Sequence, residues 1–220
     1  WCAQQGYRYQ FLGDELFDRV PNALRNKLAG RTPIIADLAR LSLLRDHLES
    51  EGGTALWLDA DTLVVDASWA PNTEVSVCFG EEYWLDTDSR GRLKVFKQPH
   101  NAFMLFAADN TVLPFLHQVA HSIIERADSA AISPQMIGPK LLKALHSLAD
   151  FPLCPEAGAL SPVLASELVH GCGPAIDAVR ESHRPKTCLW NLCGSLAGEE
   201  RHESNLLALT HDLSLFESLS

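Results

Sequence analysis

Basic residues are scarce in this chain of 220 residues: 18 Lys and Arg stand against 28 Asp and Glu, a formal charge of −10. Phosphate backbones reward clustered cations, so the balance speaks against nonspecific nucleic-acid binding. An anionic ligand would need a local cation or a metal. Long apolar runs are missing too. None approaches the roughly 20 residues that span a bilayer, so no transmembrane segment is expected, and the start lacks the basic-then-apolar layout of a secretory signal. The chain opens at Trp1 rather than Met, and a leader or a first strand is expected ahead of it. No CxxC pair occurs among Cys2, Cys78, Cys154, Cys172, Cys188 and Cys193, and no close Cys/His cluster, which disfavours zinc. Repeats, low-complexity tracts and a clear linker are also absent, so a single domain over 1–220 is the simplest count.

What remains is ordinary for a soluble globular protein: 46% apolar and 21% charged residues, enough for a core without staples. Reduced, packed thiols are expected in a domain this large, which points to a cytoplasmic setting, with peripheral attachment to a membrane left open. Residues 6–12, "GYRYQFL", alternate aromatic and polar side chains and predict a strand. Residues 13–30 predict two short helices, the second opened by Pro21 and closed by Gly30. Thr32 and Pro33 predict a capped start for a helix carrying Ile34, Leu38, Leu41, Leu44 and Leu48 at helical spacing up to Gly52-Gly53. "TALWLD" then reads as a strand covered on both faces. Strand, helices and strand together predict a parallel α/β arrangement. Further strands are expected at 75–80, 93–97 and 101–107, and helices at 111–127, 134–148 and 162–170, the last two started by Ser133-Pro134 and Ser161-Pro162. A docked helix is expected in the tail from His202 to Phe216.

Two aspartates, Asp59 and Asp61, close that apolar strand. In an extended segment, alternate residues share a face, with side chains starting about 6–7 Å apart. At the carboxyl end of a strand they would sit where open α/β sheets bind ligands. Two like charges there repel and lose solvation, a cost that a divalent cation removes. Oxygen ligands select Mg²⁺ or Mn²⁺, and these keep open positions for phosphate oxygens. In the preceding helix, Asp37 and Arg40 lie three apart on one face.

The whole stretch "ADLARLSLLRDHLESEGGTALWLDADTLVVD", residues 36–66, resembles the signature of glycosyltransferases with a DXD sugar-binding region: acidic-x-x-Arg, helix, Gly-Gly, apolar strand, D-x-D. This is the group that includes enzymes of capsular-polysaccharide synthesis, with the large clostridial glucosylating toxins as distant relatives. The resemblance implies a GT-A-like, Rossmann-type mixed sheet flanked by helices. It implies transfer of a sugar from a nucleotide-diphosphate donor to a glycan or other hydroxyl acceptor, usually with retention. By the same resemblance Asp61 binds the metal directly, and Asp59 contacts the donor and reaches the metal through water. Asp37 and Arg40 grip donor-sugar hydroxyls. Carboxylates accept from hydroxyls and Arg offers a planar donor fork, so the local chemistry agrees.

Two downstream segments are similar to parts of the same group: "HNAFMLFAADNTVLPFL" from His100, and "QMIGPKLLKAL" from Gln135. Asn101 and Gln135 are the residues there expected to face the cleft as donor-sugar contacts. "CLWNLCGSL", residues 188–196, stands where the group carries a loop that closes over the diphosphate, with Cys188 in place of a frequent histidine. Trp190 would cover the site while Asn191 and Ser195 supply oxygens; core packing explains Trp190 equally well. Glu81, Glu82 and Asp86 are the acids at hand for a base, although a front-face route, in which the leaving phosphate takes the acceptor's proton, needs none. The rival enzyme is a haloacid-dehalogenase-like phosphatase with Asp59 as nucleophile; the Gly that precedes its Thr is absent from "LDADTLVVD". A catalytically inactive sugar-binding domain is the third reading.

Overall fold

The computed structural model describes residues 1–128, 132–196 and 200–219. A 3-10 turn, Asp14–Arg19, and a short helix α1 (Asn22–Lys27) lead into helix α2 (Thr32–Glu51). Ile34, Leu38, Leu41, Leu44 and Leu48 are all buried along α2 as their spacing predicts, each burial contributing about 1.5–3 kcal/mol. Arg31, not Thr32, holds the N-cap position, and no side chain caps it. Gly52 (φ 69°) and Gly53 (φ 72°) take up left-handed backbone that side-chain-bearing residues avoid. They turn the chain into strand β1 (Thr54–Leu58).

Two mixed sheets follow. With β3 (Val77–Thr87), β4 (Leu93–Ala107) and β5 (Leu153–Cys154), the first runs in the order β1-β4-β3-β5. Its β1–β4 and β3–β4 pairs are antiparallel, and only β3–β5 is parallel. The second consists of β2 (Thr62–Val64), β6 (Ala157–Ala159) and β7 (Leu189–Asn191) in the order β2-β7-β6, with β2–β7 antiparallel and β6–β7 parallel. The chain is therefore mixed α/β, but the parallel arrangement expected around β1 is not what forms. Its supposed first strand, residues 6–12, has no ladder. Tyr9 and Phe11 there are 67% and 65% exposed, because alternation makes a strand only where a partner edge exists to take its hydrogen bonds.

The two strands expected at 93–97 and 101–107 are one, and β3 runs on to Thr87; together they build a long hairpin pairing Glu82 with Gln98, Trp84 with Phe96 and Asp86 with Lys94. Helices α3 (Val112–Arg126), α4 (Pro139–Ala149), α5 (Pro162–His170), α6 (Pro174–Glu181) and α7 (Glu200–His211), with a 3-10 turn Leu213–Leu219, complete the chain. Ser161 caps α5 as its sequence predicts, accepting from Leu164 N at 3.3 Å. Ser133 starts no helix, since α4 begins only at Pro139.

One apolar cluster joins α2, α3 and α4 to Phe79, Met104 and Phe106 of the first sheet. A second gathers Leu85, Leu164, Ile176, Trp190, Leu209 and Phe216. A third, with Phe103, Leu105, Ala157 and Leu189, lies between the sheets. All six cysteines are free. Among the described residues, no helix is long and apolar enough to cross a membrane.

Candidate functional site

Helix α2, strand β1 and strand β4 bring Asp37, Arg40, Asp59 and Asn101 into one hydrogen-bonded cluster. Arg40 Nη1 donates to Asp59 Oδ1 at 2.8 Å and to the Asn101 carbonyl at 3.0 Å, while Nη2 pairs with Asp37 Oδ1 at 3.1 Å. Asn101 Nδ2 donates to the same Asp37 oxygen at 2.8 Å. Trp57, two residues before Asp59, donates from Nε1 to Asp59 Oδ1 at 2.6 Å, and its ring lies 5.3 Å from the Arg40 guanidinium carbon. The Arg40 and Asp37 side chains are 10% and 8% exposed, Asp59 26%. The guanidinium is thus dry, and the Asp59 carboxylate is the member that opens outward. Its Oδ2 accepts no bond from another described residue.

Burial raises the Asp37 carboxyl to about 6; Arg40 and the Asn101 amide pull against it, and the Asp59 charge adds to it. Desolvation prevails over a close ion pair because both partners are out of water. A folded-state value above the unfolded one means that this group's contribution to stability is complete below the unfolded pKa and is lost as pH rises through about 6. Thermal unfolding followed between pH 4 and 8 is therefore expected to show the native chain losing stability relative to Asp37→Asn across that window. Parallel curves would contradict it.

Asp61 lies one turn further on. Thr62 N donates to Asp59 O at 3.0 Å, closing a turn through Ala60 and Asp61, so the two acids are not displayed by simple strand alternation. Asp59 is drawn to α2, whereas Asp61 Oδ1 accepts from Asn191 Nδ2 and Oδ2 from Gly194 N, both at 2.7 Å. Both nevertheless bear on one neighbour: the Cys193 thiol, which donates to Asn191 Oδ1 at 3.1 Å, is pushed up to about 12 by burial and then by Asp61, Glu82 and Asp59.

The fourth wall comes from the Gly-Pro entry of the segment beginning at Gln135, whose contact with the cluster no sequence spacing shows. Gly138, at the start of α4, packs so closely that a Cβ there would lie 2.6 Å from Asp37 Oδ2 and 2.9 Å from Asn101 Nδ2. Trp57 was missed; its two-residue offset from Asp59 was the available signal. Other expected residues fare differently. Gln135 is exposed in the turn before α4, and its carbonyl, not its side chain, accepts from Lys140 N. Trp190 is 4% exposed and stacks on Phe216 at 5.9 Å; this is core, and a buried ring cannot cover a ligand. The Ser195 side chain lies outside the described residues. Cys188 is buried, with Sγ against the Lys186 carbonyl and its thiol pushed up to about 11, chiefly by burial. His100 is fully enclosed, with Nε2 donating to Ala157 O and Nδ1 accepting from Ala102 N, and burial holds its pKa down. That is a satisfied neutral imidazole with no function left over. Glu81 is tied to Arg184 and Lys97.

No protein-family model, curated protein or solved structure matches the chain. What the site can hold rests on its own donors. Among the described residues, no group of three or more His, Cys, Asp and Glu side chains gathers as a metal site. Asp59 and Asp61 offer two hard carboxylates: Asp59 Oδ1 is filled by Arg40 and Trp57, which leaves its Oδ2, whereas each Asp61 oxygen accepts one hydrogen bond and keeps a lone pair. That set fits a Mg²⁺ or Mn²⁺ ion that completes its shell with water and substrate phosphates, and does not fit a tightly held resident ion. Two hollows, about 410 Å³ beside Leu12 and Leu43 and about 510 Å³ along α3, contain none of these residues.

Proposed function

We propose that the chain is a metal-dependent glycosyltransferase of the GT-A type, moving a sugar from a nucleotide-diphosphate donor to a hydroxyl of a saccharide or other acceptor with retention at the anomeric carbon. The observation that carries this reading is the single cluster into which α2, β1 and β4 bring Asp37, Arg40, Asp59 and Asn101. A phosphatase needs Asp59 as a free nucleophile. Arg40 and Trp57 hold its Oδ1 and leave Oδ2 open, so what weighs against the phosphatase is the missing Gly before Thr62.

On this reading Asp61 would hold the cation that arrives with the diphosphate, and Asp59 would reach it through water. That cation would supply charge neutralisation for the departing group. The more open Asp59 carboxylate accepts from the donor, and the buried Asp37 and Asn101 hold Arg40 in place behind it. Arg40, set on the Trp57 ring, fixes Asp59 so that the pair of acids is preorganised before ligand arrives. In the transfer, the bond between the anomeric carbon and the diphosphate oxygen breaks and a bond to the acceptor oxygen forms. The acceptor's proton passes to the leaving phosphate, so no dedicated side-chain base is required.

A screen of nucleotide sugars by thermal shift, with and without Mn²⁺, tests the reading. One uridine or guanosine donor is expected to raise the unfolding midpoint only when Mn²⁺ is present, and Mn²⁺ alone is expected to do little. Asp61→Asn should abolish that shift. Equal shifts in the native and Asp61→Asn proteins would remove Asp61 from the ligand set, and no shift with any donor would overturn the proposal.

A further inference from the structure

Resting on the transferase reading, we infer that one face of the β3–β4 hairpin is the acceptor subsite, and that it takes a saccharide ring stacked on Trp84 and Phe96. Side chains alternate along each strand, and on one face of the hairpin the β3 side chains are engaged, although Val95 of β4 on that face is 42% exposed. There Glu81 pairs with Arg184 at 3.1 Å and Lys97 at 3.0 Å, the Arg184 guanidinium lies 4.8 Å over the Tyr83 ring, and Leu85 is core. The opposite face carries Glu82, Trp84 and Asp86 against Gln98, Phe96 and Lys94.

The inner end of that strip leads along β4 toward the Asn101 cluster. Gln98 donates to Glu82 and stands on β4 three residues before Asn101, which bonds Asp37. Burial raises the Glu82 carboxyl, against the pull of Gln98 and of Lys143 on α4. Two residues outward, a step of about 6–7 Å, Trp84 faces Phe96 across the ladder. Phe96 is 44% exposed and Trp84 partly exposed, and neither joins any of the three apolar clusters.

The strip is therefore aromatic at one end and a carboxylate with an amide at the other. A pyranose has that same division: C–H groups on its ring face suit an aromatic ring, and hydroxyls at its rim exchange hydrogen bonds with carboxylate and amide. An apolar protein segment laid over the same rings would strip water from Glu82 without replacing its hydrogen bonds, which is costly. A hydroxyl-rich ring replaces them. The acceptor would thus lie on Trp84 and Phe96 with its inner hydroxyl directed to the donor sugar, and these two rings would select it.

The native protein, Trp84→Ala, Phe96→Ala and, as an equally exposed apolar residue on the opposite face, Val95→Ala are applied to an array of immobilised oligosaccharides, and all four are assayed for the nucleotide-sugar shift with Mn²⁺. The native protein is expected to retain one group of oligosaccharides. The Trp84 and Phe96 variants should lose at least tenfold of that signal, and Val95→Ala should keep it. All four should keep the donor shift. Phe96 is exposed enough that its variant keeps the test open if Trp84→Ala does not fold. No retention by the native protein, or retention by Trp84→Ala and Phe96→Ala equal to that of the native protein, would overturn the subsite while leaving the donor reading intact. Ring-dependent retention without any donor shift would support the saccharide subsite and overturn the transferase reading.

Discussion

Arg40→Met is expected to lower the unfolding midpoint by roughly 10 °C at pH 8 and to abolish any donor-dependent shift. Removing one partner of a buried ion pair leaves the other charge uncompensated, at about 3–5 kcal/mol, and each kcal/mol moves the midpoint of a chain this long by about 2–4 °C. Methionine keeps much of the apolar stem, so the loss reports charge more than volume. Asp37, already raised to about 6 with its partner in place, can escape the penalty by taking a proton. The loss should accordingly shrink toward pH 5. The double variant Asp37→Asn/Arg40→Met should recover much of the stability without recovering donor binding, because the two side chains touch and their effects cannot be additive. An Arg40→Met protein as stable at pH 8 as the native one would mean that the guanidinium does not bridge these carboxylates.

Gly138→Ala should separate folding from function in the other direction. The added methyl would come within 2.6 Å of Asp37 Oδ2 and 2.9 Å of Asn101 Nδ2, both short side chains already bonded to each other. One must give way. Overpacking of this kind costs about 1–3 kcal/mol, a drop of only a few degrees, yet a displacement approaching 1 Å in a positioning group lowers turnover about 100-fold. Sugar transfer, or donor hydrolysis where no acceptor is supplied, is expected to fall by that factor in a protein that still unfolds cooperatively. Activity within threefold of native would show that α4 does not press on the Asp37–Asn101 pair.

Helix α2 and strand β1 were legible because their signals are local: five apolar residues at helical spacing, a Gly-Gly stop and an apolar run. Asp37 and Arg40 were legible for the same reason, since three residues along a helix fix a shared face. What was hidden depended on partners far away in sequence. Residues 6–12 look like a strand but find no edge, whereas Glu81–Thr87, acidic enough to pass for a surface loop, extend β3 because the strand expected at 93–97 is their partner. Trp190 read equally well as a lid or as core, and only the arrival of Phe216 from the tail decides for core. The contact of Gly138 with Asp37 spans about a hundred residues, and no spacing rule reports it.

The short link from Asp59 to Asp61 has a mechanical consequence. Asp59 N is fastened to Ala102 O in the first sheet, while the Asp61 carbonyl accepts from Leu192 N just beyond β7 in the second. The chain crosses between the same two sheets again through Pro155 and Glu156. The two acids are thus fastened to different sheets, so the gap between their carboxylates is set by how the sheets pack on the apolar cluster between them, and a change in that packing would alter their bite from a distance.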